Sequence, residues 1–163
     1  RVPADDNRLR GAFLGLTFRH GRASLGRSVI EGVALNTRWA YQSVRNQRGT
    51  MKFQRIPVVG GAADNEALCQ TLADCLGEEL IVGPTPRMAG MQGTGAIAAA
   101  YLGWYANTWA AASCLARPSA RIYTPRAERA LYFDSRYKLF VSAFRKVRPW
   151  MHEMHAMDGT PHD

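Results

Sequence analysis

The stretch Pro57-Val58-Val59-Gly60-Gly61-Ala62-Ala63-Asp64-Asn65-Glu66-Ala67-Leu68-Cys69-Gln70-Thr71-Leu72-Ala73-Asp74 decides how this chain folds. Its apolar start predicts a strand, its glycine pair a sharp turn, and its last third a helix. A glycine pair removes the Cβ atoms that would hold a flat ring or a phosphate away from the backbone. The following helix, capped by Asp64 or Asn65, aims its free N–H groups and the positive end of its dipole at the same spot. The same features also describe an ordinary strand-to-helix connection, and the glycines alone do not choose between the two. No Gly-Lys-Ser/Thr follows, so this is not a Walker loop.

Working outward, residues 53–59 are predicted as a strand. The run Ile56-Pro57-Val58-Val59 suggests burial on both faces, as in a parallel sheet. Pro57 cannot donate to a sheet ladder, so it must sit at the strand start or where the missing N–H is not needed. Downstream, Leu68, Leu72, Cys75 and Leu76 share one helix face and Gly77 stops the helix. Residues 79–82 read as a short strand closed by Gly83-Pro84-Thr85-Pro86. Residues 88–102 are dominated by glycine and alanine, which suits a helix packed closely on a neighbour, with an irregular first turn. A short helix at 108–116 and a long one at 125–155 follow. The long one buries Tyr132, Phe133, Tyr137, Phe140, Val141 and Phe144, and the tail from Asp158 is expected to fray.

Upstream, residues 11–18 read as a short strand or extended segment whose glycines imply tight packing or a bend. Residues 22–46 read as a helix. Leu25, Val29, Val33 and Val44 form its stripe, widened by Ile30, Ala34, Trp39 and Ala40, and Gln47-Arg48-Gly49-Thr50 ends it. Gly26 and Gly32 each cost about 1 kcal/mol relative to alanine in a helix, which points to close-approach positions. Strands alternating with helices predict an α/β layered domain with ligands beyond the carboxyl ends of its strands, where Gly60 and Gly61 lie.

At 163 residues and 47% hydrophobic, the chain is sized for one globular unit. No apolar run is long enough to cross a bilayer and no secretory leader is recognisable, so no membrane partner is expected. Cys69, Cys75 and Cys114 form no CxxC pair, which predicts neither a disulfide framework nor a zinc site and fits a reducing cytoplasm. The net charge of +8 is scattered rather than gathered into a tract, and no nucleic-acid motif accompanies it, so no nucleic-acid partner is expected. The chain opens on Arg1 in what reads as a polar loop entered midway, which predicts a piece of a longer protein.

Each charged residue that invites a catalytic reading also has a structural one. Asp64 serves as a helix N-cap, and Asp74 as a solvated or salt-bridged carboxylate. Arg27 and Glu31 pair along their helix, and His20 is a turn residue. Asp5-Asp6 and the pair His152 and His155 show no convergent partner in the sequence.

Five segments in order resemble the C-terminal half of the FGGY carbohydrate kinases, the sugar kinases that include xylulokinase, glycerol kinase and ribulokinase. Arg1-x-Pro3 with Asp6 and Arg10-Gly11-Ala12-Phe13-Leu14-Gly15-Leu16 is similar to the family's Arg-Thr-Pro loop and Gly-x-Phe-x-Gly-Leu segment. Arg27-Ser28-Val29-Ile30-Glu31-Gly32-Val33-Ala34 resembles its Arg-Ala-x-Leu-Glu-Gly-Val-Ala helix. Gly60-Gly61-Ala62 with Gln70 and Ala73-Asp74 resembles its adenosine motif, and Gly93-Thr94-Gly95-Ala96-Ile97-Ala98-Ala99 its Leu-Gly-Ala-Ala helix. Pro125 to Phe144 resembles the tyrosine-rich closing helix. The chain departs from the pattern at Ala62, which stands for a third glycine, at Pro57, and at the methionines of 88–92.

The resemblance implies an α/β fold, the C-terminal lobe of an actin-like, ribonuclease H-like ATPase truncated at its N-terminal side, with the sugar-binding lobe absent. It implies a full-length enzyme that uses ATP and Mg2+ to phosphorylate a sugar hydroxyl, nearest the xylulokinase branch, with a pentulose such as xylulose favoured. Gly60, Gly61 and Ala62 would then wall the adenosine pocket, and Asn65 would reach the base or ribose. The family's catalytic aspartate and phosphate hairpins come from parts before this segment, so no catalytic residue or metal ligand is assigned here and the chain alone is expected to be inactive. Its partners would be ATP or ADP, the sugar through the missing lobe, and a second copy in a homodimer. The alternative is a non-catalytic interaction module derived from such a lobe.

Overall fold

The structure is a computed structural model that describes residues 5–47, 55–115 and 120–158. The chain divides into two compact units rather than the single one its composition suggested: residues 1–50 with 128–163, and residues 51–127. The expected loop at Arg1 to Pro3, the helix end at 48–50, the first residues of the 53–59 strand and most of the frayed tail lie outside the described residues.

The unit of residues 51–127 is built on a three-stranded sheet in the order β1-β2-β3. β1 (Ile56–Pro57) runs parallel to β2 (Leu80–Val82), with Ile56 opposite Leu80 and Pro57 opposite Ile81. β3 (Arg121–Tyr123) pairs antiparallel on the other side of β2. The sequence reading contained no β3, because three residues between two helical patterns give no periodicity to read.

Pro57 is accommodated by the ladder's alternation. Ile56 N–H donates to the Glu79 carbonyl and Val58 N–H to the Ile81 carbonyl, both at 2.9 Å. The nitrogen of the residue between them faces away from β2, where no donor is required. The expected burial on both faces of this strand is not found. Ile56 and Val58 are half-buried while Pro57 and Val59 are exposed, since β1 is an edge strand covered on one side.

α2 (Glu66–Leu76) starts at Asn65, whose Oδ1 accepts the Leu68 N–H at 3.0 Å, and ends at Gly77 with φ 69°, a left-handed cap that favours glycine. Its Leu72, Ala73 and Cys75 are buried, and Cys69 joins Ala63 and Val82 in a core against which Val58 and Tyr123 pack. Leu80 and Val82 of the central strand are fully buried, each worth about 1.5–3 kcal/mol relative to exposure. α3 (Ala89–Tyr101), entered through a 3-10 turn at Pro86–Met88, packs on α4 (Thr108–Leu115) through Ala96, Ala99 and Ala111. The alanines make this approach, since a Cβ added at Gly90, Gly93 or Gly95 would meet open space.

The other unit contains α1 (Arg22–Gln47) and α5 (Ala130–Asp158). Trp39 of α1 meets Phe140 and Phe144 of α5 edge-on, with ring centroids 6.4 and 4.9 Å away. This pairing selects the buried side of α1. Ala34 and Leu35 are buried and Ile30 and Trp39 half-buried, whereas Val29, Val33 and Val44 of the expected stripe are exposed. Gly26 and Gly32 are not close-approach points either, for a Cβ on each would meet nothing within 4 Å. Residues 11–18 form no strand. They bend at Gly15, φ 75°, and leave Phe13, Leu14, Leu16 and Phe18 exposed. The α5 stripe is as expected, with Phe133 buried and its companions half-buried.

Candidate functional site

The site lies within the unit of residues 51–127, where the chain leaves β1. Gly60 has φ 91° and ψ 179°, a backbone region that is essentially glycine-only. Its N–H donates to the Pro86 carbonyl at 2.8 Å, and its carbonyl accepts the Ala63 N–H at 3.2 Å. One turn of 3-10 helix, Gly61–Asp64, follows and runs into α2. Gly61 and Ala62 are exposed, while Ala63 is fully buried and fixes the turn to the core. A Cβ built on Gly61 would meet nothing within 4 Å, and its φ is ordinary, so the fold does not itself require glycine there.

Of the two expected caps, Asn65 is the N-cap and Asp64 is not. Asp64 ends the 3-10 turn and pairs with the Nε of Arg87 instead. The capping bond also alters what Asn65 can offer a ligand. One lone pair of its side-chain oxygen is taken by Leu68 N–H, which leaves the amide NH2 as its donor toward a ligand. Arg121 braces the turn from β3, with Nη2 donating to the Ala63 carbonyl at 3.4 Å and Nη1 to Glu66 Oε1 at 3.1 Å.

Asp74 is buried, so it is the salt-bridged rather than the solvated carboxylate. Its Oδ1 accepts from the Arg126 backbone N–H at 2.9 Å and from Gln70 Nε2 at 3.0 Å, and its Oδ2 from Arg126 Nη2 at 2.5 Å. Burial alone would raise its pKa. The Arg126 side chain, the Arg126 backbone N–H and Gln70 together outweigh burial and hold the carboxyl below its ordinary range. Gln70 also donates to the Thr124 carbonyl at 2.9 Å. The pair Gln70 and Asp74 therefore fastens α2 to the segment after β3. Cys69, whose thiol lies 3.5 Å from the Ala63 carbonyl, is pushed up by burial and is a core residue rather than a nucleophile.

In the other unit, Asp6 does have convergent partners. It is buried and accepts from Arg8, from Arg148 Nε at 2.9 Å and from His152 Nε2 at 2.6 Å. Burial would raise its pKa, but these donors and the Arg8 backbone N–H hold it well below the usual carboxylate range. Sequence separation of more than 140 residues hid this knot. Arg27 and Glu31 pair at 2.8 Å as expected, and Glu31 also accepts the Tyr132 hydroxyl at 2.8 Å. His20 is the turn residue it was read to be, its Nδ1 accepting the Thr17 N–H at 2.9 Å.

Among the described residues, no group of three or more His, Cys, Asp or Glu side chains is placed to hold a metal ion, and no helix is long and apolar enough to cross a membrane.

An exposed glycine turn at the carboxyl end of a parallel strand, backed by a capped helix, defines a class: α/β domains that present bare backbone to a ligand. Residues 1–87 match the FGGY family of carbohydrate kinases, C-terminal domain, and the chain belongs to that family. It is 32% identical over 152 residues to a glycerol kinase of Gloeobacter violaceus, covering 92% of this chain and 29% of that protein. It is 24% identical to a xylulose kinase of Lactococcus lactis, covering 94% of this chain and 30% of that one. Among solved structures, it resembles a xylulose kinase of Lactobacillus acidophilus with a TM-score of 0.76 at 23% identity, over 91% of this chain and 29% of that chain. A xylulose kinase of Rhodospirillum rubrum matches with a TM-score of 0.68 at 26% identity, over 88% of this chain and 28% of that chain. The chain thus spans less than a third of the length of these relatives.

Proposed function

We propose that this chain is the nucleotide-side part of an ATP-dependent carbohydrate kinase of actin-like architecture, and that Gly60, Gly61 and Ala62 form the wall against which adenosine lies. The observation that carries this reading is Gly61. It is exposed, its φ is ordinary and a Cβ on it would touch nothing, so a ligand is what gives the missing side chain a purpose. The turn leaves room for a flat ring to rest on peptide planes, and the Asn65 amide can donate to a base or ribose acceptor. When bound, ATP supplies the phosphoryl group that is transferred to a hydroxyl of the acceptor. The residues of this chain bind and orient the nucleoside end. The phosphates, Mg2+ and the sugar are assigned to the remainder of a longer cytoplasmic protein, so the chain by itself is inactive. A pentulose such as xylulose is the favoured acceptor, on the Arg1-x-Pro3 and Gly11-to-Leu16 segments.

Isothermal titration with ADP tests this. The wild-type chain is expected to bind, and Gly61→Val to weaken binding by more than tenfold, about 1.4 kcal/mol. The variant's melting temperature should barely move, because exposed substitutions stay within about 0.5 kcal/mol. An unchanged affinity in Gly61→Val would remove the turn from the site.

The reading also allows a homodimer. Residues 88–116 carry no charged side chain, and Tyr101, Trp104 and Trp109 stand exposed there. Charge-depleted aromatic surface is the composition of an interface core. Light scattering across a concentration series should show a mass rising toward twice that of the chain, and a constant monomer mass would end that part of the reading.

A further inference from the structure

The Asp64–Arg87 pair touches the glycine turn without being needed to fold it. Both side chains are substantially exposed, 40% for Asp64 and 72% for Arg87, and exposed ion pairs add little to stability. Their placement is nonetheless specific. The loop before α3 meets the turn at two consecutive residues: the Pro86 carbonyl accepts the Gly60 N–H, and Arg87 Nε donates to Asp64. These tethers hold the first and last residues of the segment 60–64, and Arg87 joins the turn at Asp64, two residues from the exposed Ala62. Asp64 engages only Nε, and among the described residues Nη1 and Nη2 have no partner.

We propose that Arg87 is a further nucleotide-binding residue, held in place by Asp64, and that it reads the nucleoside rather than the phosphates. This rests on the adenosine-wall reading above. The choice of nucleoside follows from charge. Paired with Asp64, Arg87 presents no net positive charge to attract a phosphate, but its planar face and free Nη–H donors still stack on a purine and donate to ring nitrogens or ribose oxygens. A lysine cannot substitute, because it lacks both the plane and the fork. Asp64 is a positioning residue: it orients the guanidinium and cancels its charge.

The test is a set of titrations of the chain with adenosine and with ADP, for the wild type, Arg87→Ala, Arg87→Lys, Asp64→Asn and Gly61→Val, each with a thermal melt. Arg87→Ala and Arg87→Lys are expected to weaken adenosine and ADP equally, by roughly threefold to tenfold, with melts that overlay the wild type. Asp64→Asn frees the charge, so ADP should gain on adenosine in that variant, and the gain should fade with added salt. If Gly61→Val abolishes binding while Arg87→Ala binds both ligands like the wild type, the Arg87 assignment falls and the adenosine wall stands. If Arg87→Ala loses ADP alone, the contact is to phosphate and the assignment falls as stated. If the wild-type chain binds neither ligand at millimolar concentration, the wall falls and takes Arg87 with it.

Discussion

Asp74→Ala is expected to lower the melting temperature of the chain by roughly 10–20 °C, because the unit of residues 51–127 loses a buried carboxylate on which several donors converge. The carboxylate is 4% exposed and serves three different donors: the Arg126 guanidinium, the Arg126 backbone N–H and the Gln70 amide. Hydrogen bonds to a charged group are worth about 1.5–3 kcal/mol, and removing this acceptor strands the others that converge on it. A loss of about 2–3 kcal/mol shifts the midpoint of a domain this small by several degrees per kcal/mol. Asp74→Asn is no rescue, since its amide nitrogen would face donors.

The pH dependence has a definite sign. Asp74 titrates below its ordinary value of 3.8 in the folded chain, so its contribution is fully present above that pH and is lost as the solution is acidified through the lowered value. Melts from about pH 6 down to about pH 2 should show the wild type losing stability steeply below about pH 4 and Asp74→Ala losing less over the same interval. Asp6 and Glu79 are held low by their own partners and add to the same acid branch, so the variant's curve flattens without becoming level. Parallel curves for wild type and variant would show that Asp74 is not the linked group.

The sequence made the local elements legible wherever a pattern ran long enough to repeat. α1, α2 and α5 follow from apolar spacing, α3 from its glycine and alanine content, and the end of α2 from Gly77, whose φ of 69° explains why a glycine stands there. Partner choice was not legible. Nothing local to α1 says that Trp39 will meet Phe140 and Phe144, and so the valines of the most regular stripe were placed inside when they are outside. β3 was invisible for a related reason: three residues become a strand only because β2 offers them an edge. At the candidate site, the sequence marked the glycine turn and narrowed the cap to two residues. It could not show that Asn65 takes the cap and Asp64 takes Arg87, because the loop that delivers Arg87 arrives from 23 residues away. The motif residues Gln70 and Asp74 were legible as a pair with a role, and that role is to fasten α2 to the chain after β3.

Gly60→Ala should cost about 1–3 kcal/mol, although no atom would clash with the new methyl group. The nearest neighbours of a Cβ at Gly60 lie beyond 4 Å, so packing predicts tolerance. The backbone predicts the opposite, because φ 91° with ψ 179° is a region that a residue with a Cβ occupies only under strain of that order. Two hydrogen bonds resist relaxation: the Gly60 N–H to Pro86 and its carbonyl to Ala63. The adjacent Gly61→Ala is the control, with ordinary φ and the same open surroundings, and it should change stability by less than about 0.5 kcal/mol. Paired thermal melts of the two variants distinguish the mechanisms. A loss confined to Gly60 means that the two glycines serve separate ends, the first to turn the chain off β1 and the second to leave a face clear for the ligand. Equal small effects would mean that the turn relaxes freely. A wall that relaxes on a single methyl group could not hold a purine in a fixed position, nor keep Arg87 beside it, since the Gly60 N–H is the tether on which Pro86 depends.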